Sequence, residues 1–197
     1  MPDIKSFSVM KDLVLVLSFA IFTGLAAQLK IEIGPVPITM QTFVVILSGV
    51  LLGSKKGAAS QITYLFMGLA GFPWFARGGG LGYLLSPTFG YILGFILASY
   101  LVGLLIERGW GKKIKTIIFV LLIGEAAIYL FGLSWLSKFV GFSKALTLGF
   151  YPFILGDVFK LLLIIPLLFL TGKKPKFERS ENQGSRRRRG SYIYVQR

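Results

Sequence analysis

The 197 residues of this chain include no cysteine and no histidine. That excludes disulfides, thiolate nucleophiles, imidazole acid–base chemistry and the usual zinc and haem ligands. Charge is scarce as well. Asp, Glu, Lys and Arg make up 15% of the residues, where a soluble domain carries about a quarter. Acids are the scarcer sign, eight against 22 Lys and Arg. What remains is apolar: 54% of the residues are hydrophobic and the mean hydropathy is +0.73. Several runs approach or exceed the ~20 residues that cross a hydrocarbon core as a helix. None alternates in the manner of a transmembrane β-barrel strand. The chain reads as an all-α integral membrane protein.

Six apolar runs divide it: Leu13 to Leu29, Thr39 to Gly53, Ala58 to Phe75, Phe89 to Ile106, Ile114 to Trp135, and Phe150 to Leu170. The second is short for a full crossing. Lys5 and Lys11 ahead of the first run, with Ala26 and Ala27 near its end, resemble a signal peptide. The membrane character of everything downstream favours a retained helix. Between the first two runs, Pro35 and Pro37 force extended or turn geometry. Ser54 to Gly57 reads as a basic turn, and Leu136 to Leu148 as a connecting segment.

Six crossings put both termini on one side. With them fall Lys5, Lys11, Lys55, Lys56, Arg108, Lys112, Lys113, Lys115 and nine further basic residues after position 172; Lys30, Arg77, Lys138 and Lys144 fall on the other. Basic residues concentrate on the cytoplasmic side, so both termini are expected there. Residues 1–172 form the membrane domain. Residues 173–197 read as a disordered cytoplasmic tail, or an artificial extension, able to touch anionic lipid. The net charge of +14 is a topology signal rather than a sign of nucleic-acid binding, since no soluble fold or stacking platform accompanies it. No internal repeat argues for inverted symmetry.

Ionisable residues within the apolar runs are few and informative, because they are costly in lipid and mark bundle interiors or cavities. Asp157 and Lys160 are three apart and share a helix face. At ~1.5 Å per residue they lie about 10 and 15 Å below the outer end of the last helix, and Glu125 lies about 13 Å below the outer end of the fifth. All three fall in one layer, where they converge on a wet cavity open to the outside if the two helices are neighbours. The plain alternative is an ion pair that only holds helices together. A carboxylate accepts N–H groups and an ammonium donates to a carbonyl or carboxylate, which suits a small polar ligand. The Gly-rich stretch from Arg77 to Tyr83 offers close backbone approach and a charge. No Gly-Lys-Ser/Thr follows it, so it is not a phosphate loop. Trp74, Phe75, Tyr83 and Tyr151 sit where aromatic residues anchor at a membrane interface.

Three stretches carry a family resemblance: Gly34-Pro-Val-Pro-Ile-Thr-Met-Gln-Thr-Phe43; the Gly-rich loop running into Ser86-Pro-Thr-Phe-Gly-Tyr-Ile-Leu-Gly-Phe95; and Pro152-Phe-Ile-Leu-Gly-Asp-Val-Phe-Lys160. In this order, over about residues 10–170, they resemble BioY, the biotin-binding S component of energy-coupling factor (ECF) vitamin transporters. The resemblance implies a six-helix S-component fold that holds biotin near the outer face. It implies ureido N–H groups on Asp157, and Lys160 on the ureido carbonyl or fixing Asp157. The loop backbone, Thr39 or Arg77 meets the carboxylate. Glu125, Gln41, Gly79, Tyr83, Thr88 and Tyr91 complete the candidate ligand set. The first helix is expected to pack on a transmembrane T subunit through Ala20 and Gly24, with Gly standing where the family usually has Ala. Pumping energy then comes from two partner ABC-type ATPases, since this chain has no nucleotide-binding signature, and no cofactor is expected in it. The cell membrane of a prokaryote is the implied location.

Three other readings compete. An S component for thiamin or riboflavin keeps the class and changes the ligand. An intramembrane lipid-modifying enzyme needs a carboxylate pair or a nucleophile with a base, and only isolated acids are on offer. A non-transporting scaffold would use the charged residues for packing alone.

Overall fold

A computed structural model of the protein describes residues 4–170; the basic tail and the domain boundary at 172 lie outside the described residues. The fold is helical. In order come α1 (Ile4–Gln28), a two-strand hairpin β1 (Lys30–Ile31) and β2 (Ile38–Thr39), α2 (Gln41–Leu52), α3 (Ser54–Leu69), a 3-10 turn (Leu81–Leu85), α4 (Phe89–Glu107), a second 3-10 turn (Trp110–Lys112), α5 (Ile114–Val140), α6 (Phe142–Gly149) and α7 (Tyr151–Leu170). The prolines at 35 and 37 do hold the first loop out of helix: it is a hairpin with Lys30 opposite Thr39 and Ile31 opposite Ile38.

Among the described residues, α1, α4 and α5 are long and apolar enough to cross a membrane, and α6 with α7 forms one apolar pair bent by 41°. Of the six expected apolar runs, three are thus single long helices and a fourth is the bent α6–α7 pair. At ~1.5 Å per residue, α2 with 12 residues and α3 with 16 fall short of the ~30 Å core.

Two boundaries differ from the sequence expectation. Ser54 to Gly57 is not a turn but the first turn of α3, because Gly53 alone makes the corner at φ +82°. Glu107, at the end of α4, caps that buried helix start: its two carboxylate oxygens accept from the Ser54 amide and hydroxyl, both at 2.8 Å. The α5 helix continues to Val140, and most of the expected connection is helical, as the end of α5 and then α6. At the start of α3 a neighbouring helix thus satisfies a helix end that an isolated run leaves open.

The helix α4 packs against α2, α3 and α5. At the end carrying the hairpin and the Gly-rich loop, the core is aromatic, with Tyr64, Phe75, Tyr83, Phe89, Tyr91 and Phe95. At the opposite end it is aliphatic, built on Ile46, Val50, Val102, Ile117, Leu121 and Ile164. Phe75 and Tyr83 therefore belong to the core and not to an interfacial belt: Phe75 is fully buried, its ring 4.4 Å from that of Tyr83. Tyr151 is exposed. Trp74 lies over α1 and donates its indole N–H to the Tyr64 carbonyl at 3.0 Å.

That placement settles the small residues of α1. Ala20 is 1% exposed, and a side-chain carbon on Gly24 would stand 3.0 Å from Trp74 Cβ. The two residues expected at a partner contact are thus covered within the chain. Their smallness lets α3 and Trp74 approach α1 closely. The face that α1 leaves open carries Leu13, Leu17, Ile21 and Leu25.

Candidate ligand-binding site

The acid and base of α7 do share a face, and that face points inward. Lys160 Nζ lies 2.9 Å from Asp157 Oδ1, with both side chains almost fully buried. Two further elements complete the group. Thr42, on α2, accepts from Lys160 at 3.1 Å, and Tyr129, on α5, donates its hydroxyl to Asp157 Oδ2. Glu125 is one turn from Tyr129 on the same face of α5. It is buried within electrostatic reach of Asp157 and Lys160, and neither of its carboxyl oxygens has a hydrogen-bond partner. The three ionisable residues do come together, Asp157 and Lys160 from α7 and Glu125 from α5, with Thr42 of α2 beside them.

Space lies on both sides of the pair. Toward the hairpin is a narrow cavity of about 40 Å³, bordered by Lys160, Thr42, Tyr129 and the aromatic rings of Phe95 and Phe153. A water needs roughly 10–15 Å³ by this measure, so the cavity admits a few waters as it stands. A larger ligand has to move its walls. Of the candidate residues, Thr39, Gln41, Tyr83, Thr88, Tyr91 and Lys160 border this cavity. Asp157 and Glu125 instead border a wider cleft between α5 and the α6–α7 limb, and Tyr129 borders both.

The polar wall of the inner cavity is already ordered. Gln41 Nε2 donates to the Tyr64 hydroxyl at 2.7 Å, and the Thr39 hydroxyl donates to Gln41 Oε1 at 3.0 Å. The Thr88 hydroxyl donates to that of Tyr83 at 2.8 Å. Tyr91 spends its hydroxyl on the Gly149 carbonyl at 2.9 Å, so it gives the cavity a ring and not a donor. An acid–base pair at one end, aromatic walls, and hydroxyl and amide groups at the other suit a small amphipathic molecule with N–H and carbonyl groups on one side.

Arg77 and Gly79 border neither space. Arg77 Nη2 lies 2.7 Å from Glu32 Oε2 and 2.9 Å from the Gly34 carbonyl, while Nη1 reaches the Pro35 carbonyl at 2.9 Å. The arginine latches the Gly-rich loop to the hairpin. Lys30 adds an ion pair to Glu32 at 3.1 Å and a hydrogen bond to the Ala76 carbonyl. The loop's own amides are used internally, Gly78 on Phe75 and Gly80 on Gly68. Gly79 lacks a side chain because one would fall 2.1 Å from the Phe72 carbonyl.

The Arg77 and Lys30 hydrogen bonds hold the Glu32 carboxyl below its ordinary value of 4.5. An acid whose folded pKa is lowered stabilises the fold above its unfolded pKa, and that contribution disappears as the pH falls through the folded value. The latch is therefore complete at neutral pH and released in acid. Arg77→Ala is expected to speed amide exchange in residues 32–37 and 76–80 at pH 7, with little change in α4 or α5. Unchanged loop exchange would remove the latch role.

Residues 2–174 match the sequence model of the BioY family. The chain belongs to the BioY family. Among its relatives, a probable biotin transporter BioY of Pyrococcus horikoshii is 44% identical over 151 residues, covering 76% of this chain and 89% of that one. The biotin transporter BioY of Thermotoga maritima is 40% identical over 167 residues, covering 81% and 95%. These relatives are named as transporters, not enzymes. In three dimensions the fold matches the crystal structure of the S-component for biotin from an ECF-type ABC transporter, with a TM-score of 0.71 at 28% identity over 87% of this chain and 95% of that one.

Two side chains of the buried polar cluster escape a residue-by-residue reading. Thr42 sits inside the first motif but carries no charge to draw notice. Tyr129 follows Glu125 by four residues, and that spacing is the one signal that would have found it.

Proposed function

We propose that this chain is the biotin-binding S component of an ECF-type transporter. The observation that carries the reading is the buried Asp157–Lys160 pair, fixed by Thr42 and Tyr129 at the end of an aromatic cavity. Biotin offers a ureido group with two N–H donors and one carbonyl, an apolar bicycle and a carboxylate tail. The ligand has to move the wall between the two spaces to reach Asp157, which then accepts from the ureido N–H groups through its remaining lone pairs. Lys160 donates to the ureido carbonyl or holds Asp157 in place, and Glu125 adds a further acceptor. The bicycle lies among Tyr91, Phe95 and Phe153, and the tail reaches toward Thr39, Gln41, Tyr83 and Thr88. Arg77 and Gly79 act on the ligand indirectly, by shaping the loops over the cavity.

The finer topology belongs to the same proposal. The chain crosses the membrane six times, through α1, α2, α3, α4, α5 and α7, with α6 at the outer boundary and both termini in the cytoplasm of a prokaryote. The basic residues near the start of α1, in the α2–α3 corner and around the α4–α5 turn support that orientation. Residues 1–172 form the membrane domain and 173–197 a cytoplasmic tail. Biotin enters from the hairpin end and leaves inward with the help of a T subunit and two ABC-type ATPases, which use the ATP. No cofactor resides in this chain. The open face of α1 at Leu13, Leu17, Ile21 and Leu25 is available to lipid or to the T subunit, whereas Ala20 and Gly24 are covered.

Purified protein in detergent is expected to retain radiolabelled biotin through gel filtration, with unlabelled biotin displacing it and excess thiamin or riboflavin leaving it bound. Displacement by either of those vitamins would assign a different ligand. No retention under any condition would favour a scaffold.

A further inference from the structure

The wider cleft between α5 and the α6–α7 limb has a volume of about 560 Å³, within the range of roughly 300–1,000 Å³ typical of small-molecule sites. Its walls are apolar, and Leu122, Leu130, Ile154 and Val158 along it are exposed, so it opens sideways to where lipid lies. Its polar end is the acid–base centre. There Lys160 is engaged by Asp157 and Thr42, and the Tyr129 hydroxyl by Asp157. Glu125, 5% exposed, borders the cleft, and its two carboxyl oxygens are buried just beneath the cleft surface without a hydrogen-bond partner. Two acids thus face one base, and the group left without a donor is the one at the floor of an open apolar cleft. A bare carboxylate in such surroundings is strongly unfavourable unless a cation or a hydrogen-bond donor meets it.

We propose that this cleft is a second binding site, for an amphipathic amine that enters from the lipid side. Its ammonium pairs with Glu125, supplying the missing charge and up to three N–H donors. Its hydrocarbon part lies along Leu122, Leu130, Leu133 and Ile154. The selectivity follows from the charge count. An amine meets the acid, an alcohol of the same length offers a donor without charge, and a fatty acid is repelled. The cleft adjoins the inner cavity and shares Asp157, Tyr129 and Glu125 with the centre proposed for biotin, so the amine is tested with biotin absent.

The test uses the full chain in nanodiscs of zwitterionic lipid, with octylamine, octanol and octanoate as probes and empty discs as the partition control. Octylamine is expected to bind at least about tenfold more tightly than octanol, and octanoate no better than to empty discs. Glu125→Gln is expected to erase the preference for the amine. Should that variant not fold, Leu133→Trp, which fills the cleft and leaves Glu125 in place, is expected to weaken octylamine by about tenfold or more. Equal affinity for octylamine and octanol would overturn the proposal and mean that Glu125 carries a proton beneath ordinary lipid chains. A preference for the amine that survives Glu125→Gln, or octylamine binding that survives Leu133→Trp, would also overturn it.

Discussion

Asp157→Asn is expected to weaken biotin binding at least about tenfold, or about 1.4 kcal/mol. The amide keeps the shape but gives up the charge that strengthens every hydrogen bond the carboxylate accepts. It also leaves the Lys160 ammonium, which is almost fully buried, without its counter-charge. Lys160→Met fails in the mirror sense, leaving Asp157 with Tyr129 alone. Removing one member of a buried pair costs about 3–5 kcal/mol, whereas replacing both with neutral groups is often tolerated. The double variant Asp157→Asn/Lys160→Met therefore separates two roles of the pair. Its thermal stability in detergent is expected to return toward that of the parent, above either single variant, while biotin binding stays lost. A double variant that regains both stability and biotin would show the pair to be structural only.

Gly49→Leu is expected to abolish recovery of monodisperse folded protein. A side-chain carbon at Gly49 would stand 2.4 Å from the Ser99 carbonyl oxygen on α4, and Gly103 in turn leaves 2.3 Å to the Ser54 amide of α3. Glycines on facing helices here let backbones meet without side chains between them, the close approach that drives helix association in membranes. Because the opposing atoms are backbone, no rotamer change makes room, and the cost exceeds the about 1–3 kcal/mol of ordinary overpacking. Gly156 is the control. It lies inside α7 with open space around it, so Gly156→Ala is expected to leave folding intact and to stabilise the helix by up to ~1 kcal/mol. Equal behaviour of the two variants would mean that the α2–α3–α4 junction tolerates expansion.

The sequence carries the membrane class in its long apolar runs and the first loop in its prolines. It also carries the shared face of Asp157 and Lys160 and their spacing along the helix, because helical rise and periodicity are fixed by the backbone whatever the neighbours. Arg77 reads differently. A charge in a Gly-rich loop beside a ligand motif suggests a ligand contact, but Glu32 and two carbonyls of the hairpin, distant in sequence, hold it.

The small residues of α1 mark the limit most clearly. In water, a polar face tells which side of a helix looks outward; in a bilayer both sides are apolar, so nothing in the pattern of α1 says that Ala20 and Gly24 lie beneath Trp74. The sequence by itself determined which side chains share a helix face. Only the tertiary structure decided which helices are neighbours. It set Thr42 and Tyr129 on the acid–base pair, placed Lys160 and Asp157 beside two different spaces, and left Glu125 beside the open one. Those outcomes depend on contacts between segments far apart in the chain, and no local periodicity encodes them.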